Sequence, residues 1–427
     1  MHHFQYKEHE LFCEDVSVAG LAEEWGTPLY IYSYATLAHH FRAFDAAFRE
    51  YPHLTCFSVK ANSNQAILRI FANEGGGADV VSGGEIYRSL KAGMNPDRIV
   101  YSGVGKTHDE LDFALEVGIL MFNIESTQEL NVLNERARLL GTRAPVSFRI
   151  NPDIDPKTHP YISTGLKKNK FGIESSASIQ EYRYAKTLEY IDIIGISCHI
   201  GSQITETGPF VEALRRIKSF VHELRREGIR IKYLDIGGGL GITYDKETPP
   251  PPDEYAKAVL KEVQDEDLTL ILEPGRVIVG NAGILVTKVL YTKSTSEKNF
   301  IIVDAGMNDL IRPSLYNAYQ EILSVTSFSQ EKYVADMVGP ICESGDFFAR
   351  DRLLTRPREG DYLAIMSAGA YGFVMASNYN SRPRPAEVLV DGSETHLIRQ
   401  RESYEELIQG ENIPPFLLSE PGTSRSS

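Results

Sequence analysis

Cysteine is scarce in this chain. Only Cys13, Cys56, Cys198 and Cys342 occur in 427 residues, with no C-x-x-C pair among them. That spacing excludes a disulfide framework and a paired-thiolate zinc site, so no metal is expected, and it suits free thiols in a reducing cytoplasm. Long apolar runs are also missing. No stretch approaches the roughly 20 residues of a membrane-spanning helix, and the N-terminus, MHHFQYKEHELFCEDV, has no apolar core of the kind a cleavable signal needs. Basic residues are in deficit, 44 Lys and Arg against 58 Asp and Glu, for a formal charge of −14. A nucleic-acid surface needs a basic patch, so neither nucleic acid nor a membrane is expected as a partner. An anionic small ligand stays open, because it answers to the local field and not to net charge.

What is present is an alternation of short apolar strands and helical segments from about residue 55 to 275. The strands read as TCFSVKA (55–61), GADVVS (77–82), RIVYSG (98–103), LMFNIE (120–125), PVSFRIN (145–151), IIGISCHIG (193–201), KYLDIGGG (232–239) and LTLILEPG (268–275). Eight β-α units in that order favour a parallel sheet, and their total length is that of a closed (β/α)8 TIM-type barrel. An open doubly wound sheet is disfavoured, since no G-x-G-x-x-G turn follows the first strand. Residues 64–74 place Ile67, Ile70 and Phe71 on one helical face, with Asn62, Ser63 or Asn64 available as caps. Residues 209–227 open on proline and stop before Gly228, the asymmetry expected of helix ends. TPPPPDEYAK (248–257) reads as a rigid surface loop before a helix.

After residue 280 the strands follow one another with few helices between them, as in a second, mostly antiparallel β domain. The expected division is a barrel over residues 30–280, a sandwich or Greek-key-like domain over 1–29 and 281–415, and a disordered tail over 416–427. The basic, turn-rich stretch KTHPYISTGLKKNKFG (157–172) reads as a long loop of the kind that serves as an active-site lid. Clusters such as ELRRE and KEVQDED read as solvated helix faces.

A barrel of this type builds its site at the carboxyl ends of its strands. Those ends carry Lys60, Ser82, Glu125, Asn151, His199, the glycines 237–239 and Glu273-Pro274-Gly275-Arg276. Lys60 ends an apolar segment that reads as a buried strand. A lysine marking a strand end and reaching to water is the plain alternative; the functional one is an amine that forms a Schiff base with a carbonyl or with pyridoxal phosphate. His199 alone is more often a core histidine, yet its flat ring could stack on a planar cofactor. GGGLG is weak as a motif and gains weight from following an apolar strand, where bare backbone N–H groups can approach a phosphate. Glu273 could be a solvated strand end, or a buried carboxylate holding a pyridine nitrogen protonated, which makes that ring an electron sink.

The segments FSVKAN, GADVVSGGE, SCHIGSQI, DIGGGLGI, LEPGR, GPICESGD and AGAYG together resemble the diaminopimelate decarboxylases of the fold type III pyridoxal-phosphate class, from about residue 25 to beyond 390. The resemblance implies pyridoxal 5'-phosphate as cofactor and decarboxylation of meso-2,6-diaminopimelate to L-lysine and carbon dioxide. It implies Lys60 as the covalent anchor, Asp79 at the cofactor's side, His199 stacked on the ring and Glu273 paired with the pyridine nitrogen. Phosphate binding maps to Ser202, Gly238, Gly239, the Gly275–Arg276 turn and Tyr371. Substrate recognition maps to Arg276, Arg312, Tyr316, Glu343 and Tyr371. Cys342 matches a proton donor that the partner subunit contributes, which implies a homodimer with shared sites.

Elementary chemistry makes the substrate assignments sensible. Arg312 and Arg276 suit a distal carboxylate, which a guanidinium can bind by two parallel hydrogen bonds, and Glu343 suits a distal ammonium. Taken alone, Arg312 would be an ordinary surface arginine and Cys342 a small residue in a β-strand turn; RPSLY and GPICESGD around them point to the site. The competing readings are a related decarboxylase of carboxynorspermidine, ornithine or arginine, and a cofactor-binding homologue that regulates partners without turnover. Two arginines at the distal end argue against the first. Retention of Lys60, Glu273 and Cys342 together argues against the second.

Overall fold

The computed structural model describes residues 2–154, 170–326 and 331–418. The stretch 157–169 of the expected lid and residues 419–427 of the expected tail lie outside the described residues. Pro415–Leu418, which reaches into that tail, forms an exposed helical turn.

Eight parallel strands close into a barrel: β1 (His53–Ser58), β2 (Gly77–Val80), β3 (Ile99–Tyr101), β4 (Met121–Ile124), β5 (Ala144–Asn151), β6 (Ile191–Ser197), β7 (Tyr233–Asp235) and β8 (Thr269–Leu272). Each pairs with the next, and β8 returns to β1 through the Leu270–His53 register. Closure explains the near-continuous apolar runs, since each strand is covered by helices outside and by other strands' side chains inside.

The helix Gln65–Asn73 starts where the Asn64 side chain accepts the N–H of Ala66, so Asn64 is the cap among the three candidates. It buries Ile67, Ile70 and Phe71, and the Phe71 ring packs tilted 4.5 Å from Phe57 of β1 and stacks 5.3 Å from Phe41. Burying each such side chain contributes about 1.5–3 kcal/mol. The long helix runs Gly208–Arg226, and Gly228 behind it holds φ +69, the left-handed conformation a helix stop favours.

Strands end earlier than the apolar runs do. β1 stops at Ser58, and Lys60 sits in a single 3-10 turn, Val59–Ala61, beyond the sheet; the expectation of a strand-end lysine is corrected to a lysine on a rigid turn. Likewise β7 ends at Asp235 and β8 at Leu272, so the glycines 237–239 and Glu273 to Arg276 are mouth segments released from ladder geometry.

The second sheet centres on Gly283–Ser294, flanked by Asn299–Val303 and by Leu29–Ser33. Leu29–Ser33, at the expected division, pairs antiparallel with Gly283–Val286 on one side and parallel with Ala386–Val390 on the other. Strands Phe347–Thr355 and Glu394–Arg399, unforeseen in sequence, form the two ends of this path. Most pairings are antiparallel, with Asn299–Val303 and Lys332–Val338 a second parallel exception.

The two parts meet just behind Lys60. Asn62 donates to Gly369 O at 3.1 Å, and the Tyr371 N–H donates to Ala61 O at 2.8 Å. Buried Glu387 accepts from Tyr32 at 2.8 Å and from Asn64 at 2.9 Å, and also from Arg399. The turn carrying Lys60 is therefore fixed from both sides.

Candidate active site

A cavity of about 430 Å³ opens at the carboxyl ends of the barrel strands, with Lys60, His199, Asp235 and Glu273 in its wall. Lys60 Nζ donates to Asp79 Oδ2 at 2.6 Å; the same oxygen accepts from Ser58 at 2.7 Å. Burial disfavours the Lys60 ammonium, but Asp79, then Glu273 and Tyr371, outweigh it and raise its proton affinity. One face of the amine stays open to the cavity, its side chain being 33% exposed while Asp79 has none of its side chain exposed.

The Gly238 N–H donates to His199 Nδ1 at 3.2 Å, so Nδ1 is the acceptor and a neutral ring carries its proton on Nε2. Burial, then Arg149 and Lys60, keep this histidine well below the usual titration range. A neutral aromatic ring at the cavity wall suits stacking.

Glu273 is buried, and its Oε1 has no hydrogen-bond partner. Burial first, then Asp235 and Asp79, push this carboxyl well above the ordinary range, and it hydrogen-bonds Asp235. Burial pushes Asp235 up to about 6, against the Gly237 N–H and Asn123. The two acids thus titrate as a pair.

A second cluster lies around Arg276. It donates to Ser202 Oγ at 3.0 Å and to Tyr244 Oη at 2.7 Å, and its guanidinium lies 4.8 Å from the Tyr371 ring centre. Tyr371 has φ +56, a strained value for a bulky residue. Arg312 is buried in the turn Arg312–Tyr316, which begins with Pro313 in its first turn, and packs 4.5 Å over Tyr244. Arg312 Nη1 and Arg276 Nε are buried donors without partners. Burial chiefly, with Arg276 adding to it, pulls the Arg312 guanidinium down, against Tyr244, Tyr371 and Tyr316.

Not every expected residue joins these clusters. Ser82 caps the helix Gly83–Lys91. Glu125 accepts from Arg149 at 2.9 Å and from the Gly172 N–H at 2.6 Å, and Asn151 Oδ1 accepts the Asp153 N–H, so both hold backbone at the rim. Cys342 and Glu343 are exposed, with Glu343 bonded to Tyr379, and neither lines the cavity of its own chain.

A family profile described as pyridoxal-dependent decarboxylase, pyridoxal binding domain, matches residues 34–280. The diaminopimelate decarboxylase of Vibrio cholerae is 53% identical over 417 residues, covering 97% of this chain and 100% of that protein. The chain belongs to the diaminopimelate decarboxylase family. The enzyme of that name from Pseudomonas aeruginosa is 52% identical, covering 96% of this chain and 99% of that one. Among solved structures, diaminopimelate decarboxylase from M. jannaschii in complex with L-lysine superposes with a TM-score of 0.93 at 41% identity, covering 97% of this chain and 98% of that one.

In this family member the residues present fit pyridoxal phosphate. Glu273 Oε1, buried and unpartnered, suits the N–H of a protonated pyridine ring, and Lys60 faces the same cavity. The glycine turn is bare for a structural reason as well. A Cβ on Gly238 would lie 2.0 Å from Glu273 O, and one on Gly239 would lie 2.5 Å from Gly201 O at a φ of +117. Gly238→Ala should therefore displace the Glu273 backbone, lower stability by about 1–3 kcal/mol and weaken cofactor affinity at least about tenfold. Thermal melting with and without pyridoxal phosphate, plus spectral titration of the apoprotein, checks both. Full stability with unchanged affinity would count against this cradle.

Two features escaped the sequence. A buried polar layer crosses the barrel at the floor of the cavity: Asn123 donates to Ser102 and to Asp235 at 3.0 and 2.9 Å, and Ser147 donates to Asn123 at 2.6 Å and shares a hydrogen bond with the Ser197 hydroxyl at 3.0 Å. Tyr244, between the two arginines, is the other.

Proposed function

We propose that the barrel mouth decarboxylates meso-2,6-diaminopimelate to L-lysine and carbon dioxide, on pyridoxal 5'-phosphate anchored to Lys60. The observation that carries this reading is the pair of buried guanidiniums, Arg276 and Arg312, each with an unpartnered donor, in a cluster joined to the Lys60 turn through Tyr371, which packs on Arg276 and bonds Ala61. A site that leaves two such donors unpaired selects strongly for a ligand bearing a carboxylate there.

When bound, pyridoxal phosphate supplies the electron sink for the pair of electrons left on the α-carbon as carbon dioxide departs. Glu273 holds the proton on the ring nitrogen, with Asp235 behind it, and the neutral ring of His199 packs on the cofactor's face. Ser202, the backbone at Gly238 and Gly239, the Gly275–Arg276 turn and Tyr371 hold the phosphate. Asp79 orients the Lys60 amine through its 2.6 Å hydrogen bond. Arg276, Arg312, Tyr316 and Tyr371 take the distal carboxylate, and Glu343 of the second subunit takes the distal ammonium. Cys342 of that subunit returns a proton to the α-carbon, a general-acid role that needs reach more than an altered pKa. The assembly is a homodimer in which each site draws on both chains.

No helix among the described residues is long and apolar enough to cross a membrane. The unpaired thiols, three buried and Cys342 exposed, support a reducing cytoplasmic setting.

Carbon dioxide release from meso-diaminopimelate, L-ornithine, L-arginine and carboxynorspermidine tests the reading. Diaminopimelate should exceed each basic amino acid in kcat/KM by at least about 10^3. A preference for a substrate without a distal carboxylate would overturn the substrate while leaving the fold untouched.

A further inference from the structure

Two guanidiniums that share a buried site repel one another, and something must hold them together before a carboxylate arrives. The described residues place no carboxylate in hydrogen-bond contact with either Arg276 or Arg312. Three phenols, Tyr244, Tyr371 and Tyr316, face both guanidiniums, and Tyr244 both hydrogen-bonds Arg276 and packs against Arg312. Tyr244 Oη accepts from Arg276 Nη1 at 2.7 Å, the Arg276 guanidinium lies 5.7 Å from the ring centre, and that of Arg312 lies 4.5 Å from it. One side chain thus offers a hydrogen-bond acceptor to the first arginine and a ring to the second.

Tyr244 is itself firmly placed. It is buried, and its loop leaves the Gly237–Gly239 turn through Ile242, whose carbonyl and N–H both pair with Gln203, at 2.6 and 3.1 Å. The Glu247 carboxylate then closes the loop by accepting the N–H groups of Tyr244 and Asp245, at 3.0 and 2.7 Å. A rigid post of this kind pre-organises the donors it touches and reduces the ordering left for the ligand to impose.

We propose that Tyr244 is a positioning residue that holds Arg276 and Arg312 as a single carboxylate-binding pair and thereby sets the preference for ligands with a distal carboxylate. This rests on the reading of the two arginines given under the proposed function. It separates two properties of one residue: the hydroxyl fixes Arg276, and the ring fixes Arg312.

L-Lysine and cadaverine make the test, because they are the same diamine chain with and without a carboxylate. Their inhibition constants against diaminopimelate turnover are measured on the pyridoxal-phosphate-loaded enzyme, as wild type, Tyr244→Phe, Tyr244→Leu and Arg312→Ala. Tyr244→Phe should weaken L-lysine about tenfold, and Tyr244→Leu about 30- to 100-fold, as a charge-assisted hydrogen bond and then the ring are lost. Cadaverine should shift less than about twofold in both, and KM should rise with kcat nearly kept. Equal weakening of both ligands in Tyr244→Phe would make the tyrosine a mere support of the fold and overturn the proposal. If Arg312→Ala abolishes the discrimination while both tyrosine variants retain it, the proposal falls and the carboxylate reading stands. If Arg312→Ala itself leaves discrimination intact, the carboxylate reading fails and the proposal with it.

Discussion

Lys60→Ala protein will take up pyridoxal phosphate without a covalent link and lose turnover by at least about 10^3-fold. The wild-type protein will be yellow, and borohydride will fix the cofactor to the peptide that contains Lys60. The expectation follows from the turn at Val59–Ala61, which is tied to the second sheet through Ala61 and Asn62 and so presents one amine at one place on the cavity wall. Non-covalent uptake is expected because Glu273, His199 and the glycine turn are untouched by the substitution. A pH dependence follows with a definite sign. Neighbouring carboxylates raise the proton affinity of the Lys60 amine, so the unprotonated form that attacks a carbonyl is scarce at neutral pH and grows as pH rises. Cofactor capture by the apoprotein should accelerate with pH and show no plateau in the neutral range, as followed by stopped-flow absorbance. Labelling at a different lysine would remove Lys60 from its role.

Mixing Lys60→Ala with Cys342→Ala, each inactive alone, will return about a quarter of wild-type activity once subunits exchange freely. Half of the dimers are then mixed, and one of the two sites in each receives both intact residues. The local structure of Cys342 makes the experiment clean. Its backbone N–H donates to Asn380 Oδ1 at 2.8 Å, and its side chain is on the surface, so removing the thiol disturbs no core packing. Asn380 and Ser381 opposite it hold φ of +57 and +54, which marks this patch as conformationally constrained. Mass spectrometry can verify the exchange independently. Demonstrated exchange with no activity returned would sink the shared-site arrangement.

The barrel was legible because parallel strands buried on both faces leave apolar runs that little else produces, as in RIVY and LTLIL. Where those strands stop was not legible. The apolar pattern continues past Ser58 and Asp235 and gives way after Leu272 to Glu273-Pro274-Gly275, and only the closed register shows where each ladder ends. Phe347–Thr355 was missed because Arg350, Asp351 and Arg352 interrupt its alternation; Arg350 and Asp351 are exposed, while Arg352 is half-buried and donates to Gln320 O. Asn123, Ser147, Ser197 and Asp235 are one polar residue from each of four strands, and each by itself looks like an ordinary interruption. Closure brings them into one layer. Their signal was there, a polar residue at an inward position near the carboxyl end of consecutive strands, but it needs the register to be read. Tyr244 offered less: a tyrosine a few residues after a glycine turn has no distinguishing pattern until both arginines are seen to meet it.

The strand Leu29–Ser33 has a consequence for how the chain comes to be folded at all. Its two neighbours, Gly283–Val286 and Ala386–Val390, are made about 250 and 350 residues later. At ribosomal rates of about 5–20 residues per second, this segment, LYIYS, waits on the order of ten seconds to a minute with both edges unpaired. It is wholly apolar or aromatic apart from its last serine and is fully buried at the end. During that interval it has the character of an open edge that invites pairing with another nascent chain. The barrel, whose strands are consecutive, can close in the meantime, leaving this early segment to be claimed last. Slower synthesis through the final hundred residues, or loss of the strand Ala386–Asp391, should therefore lower the soluble yield more than the intrinsic stability of the barrel would suggest.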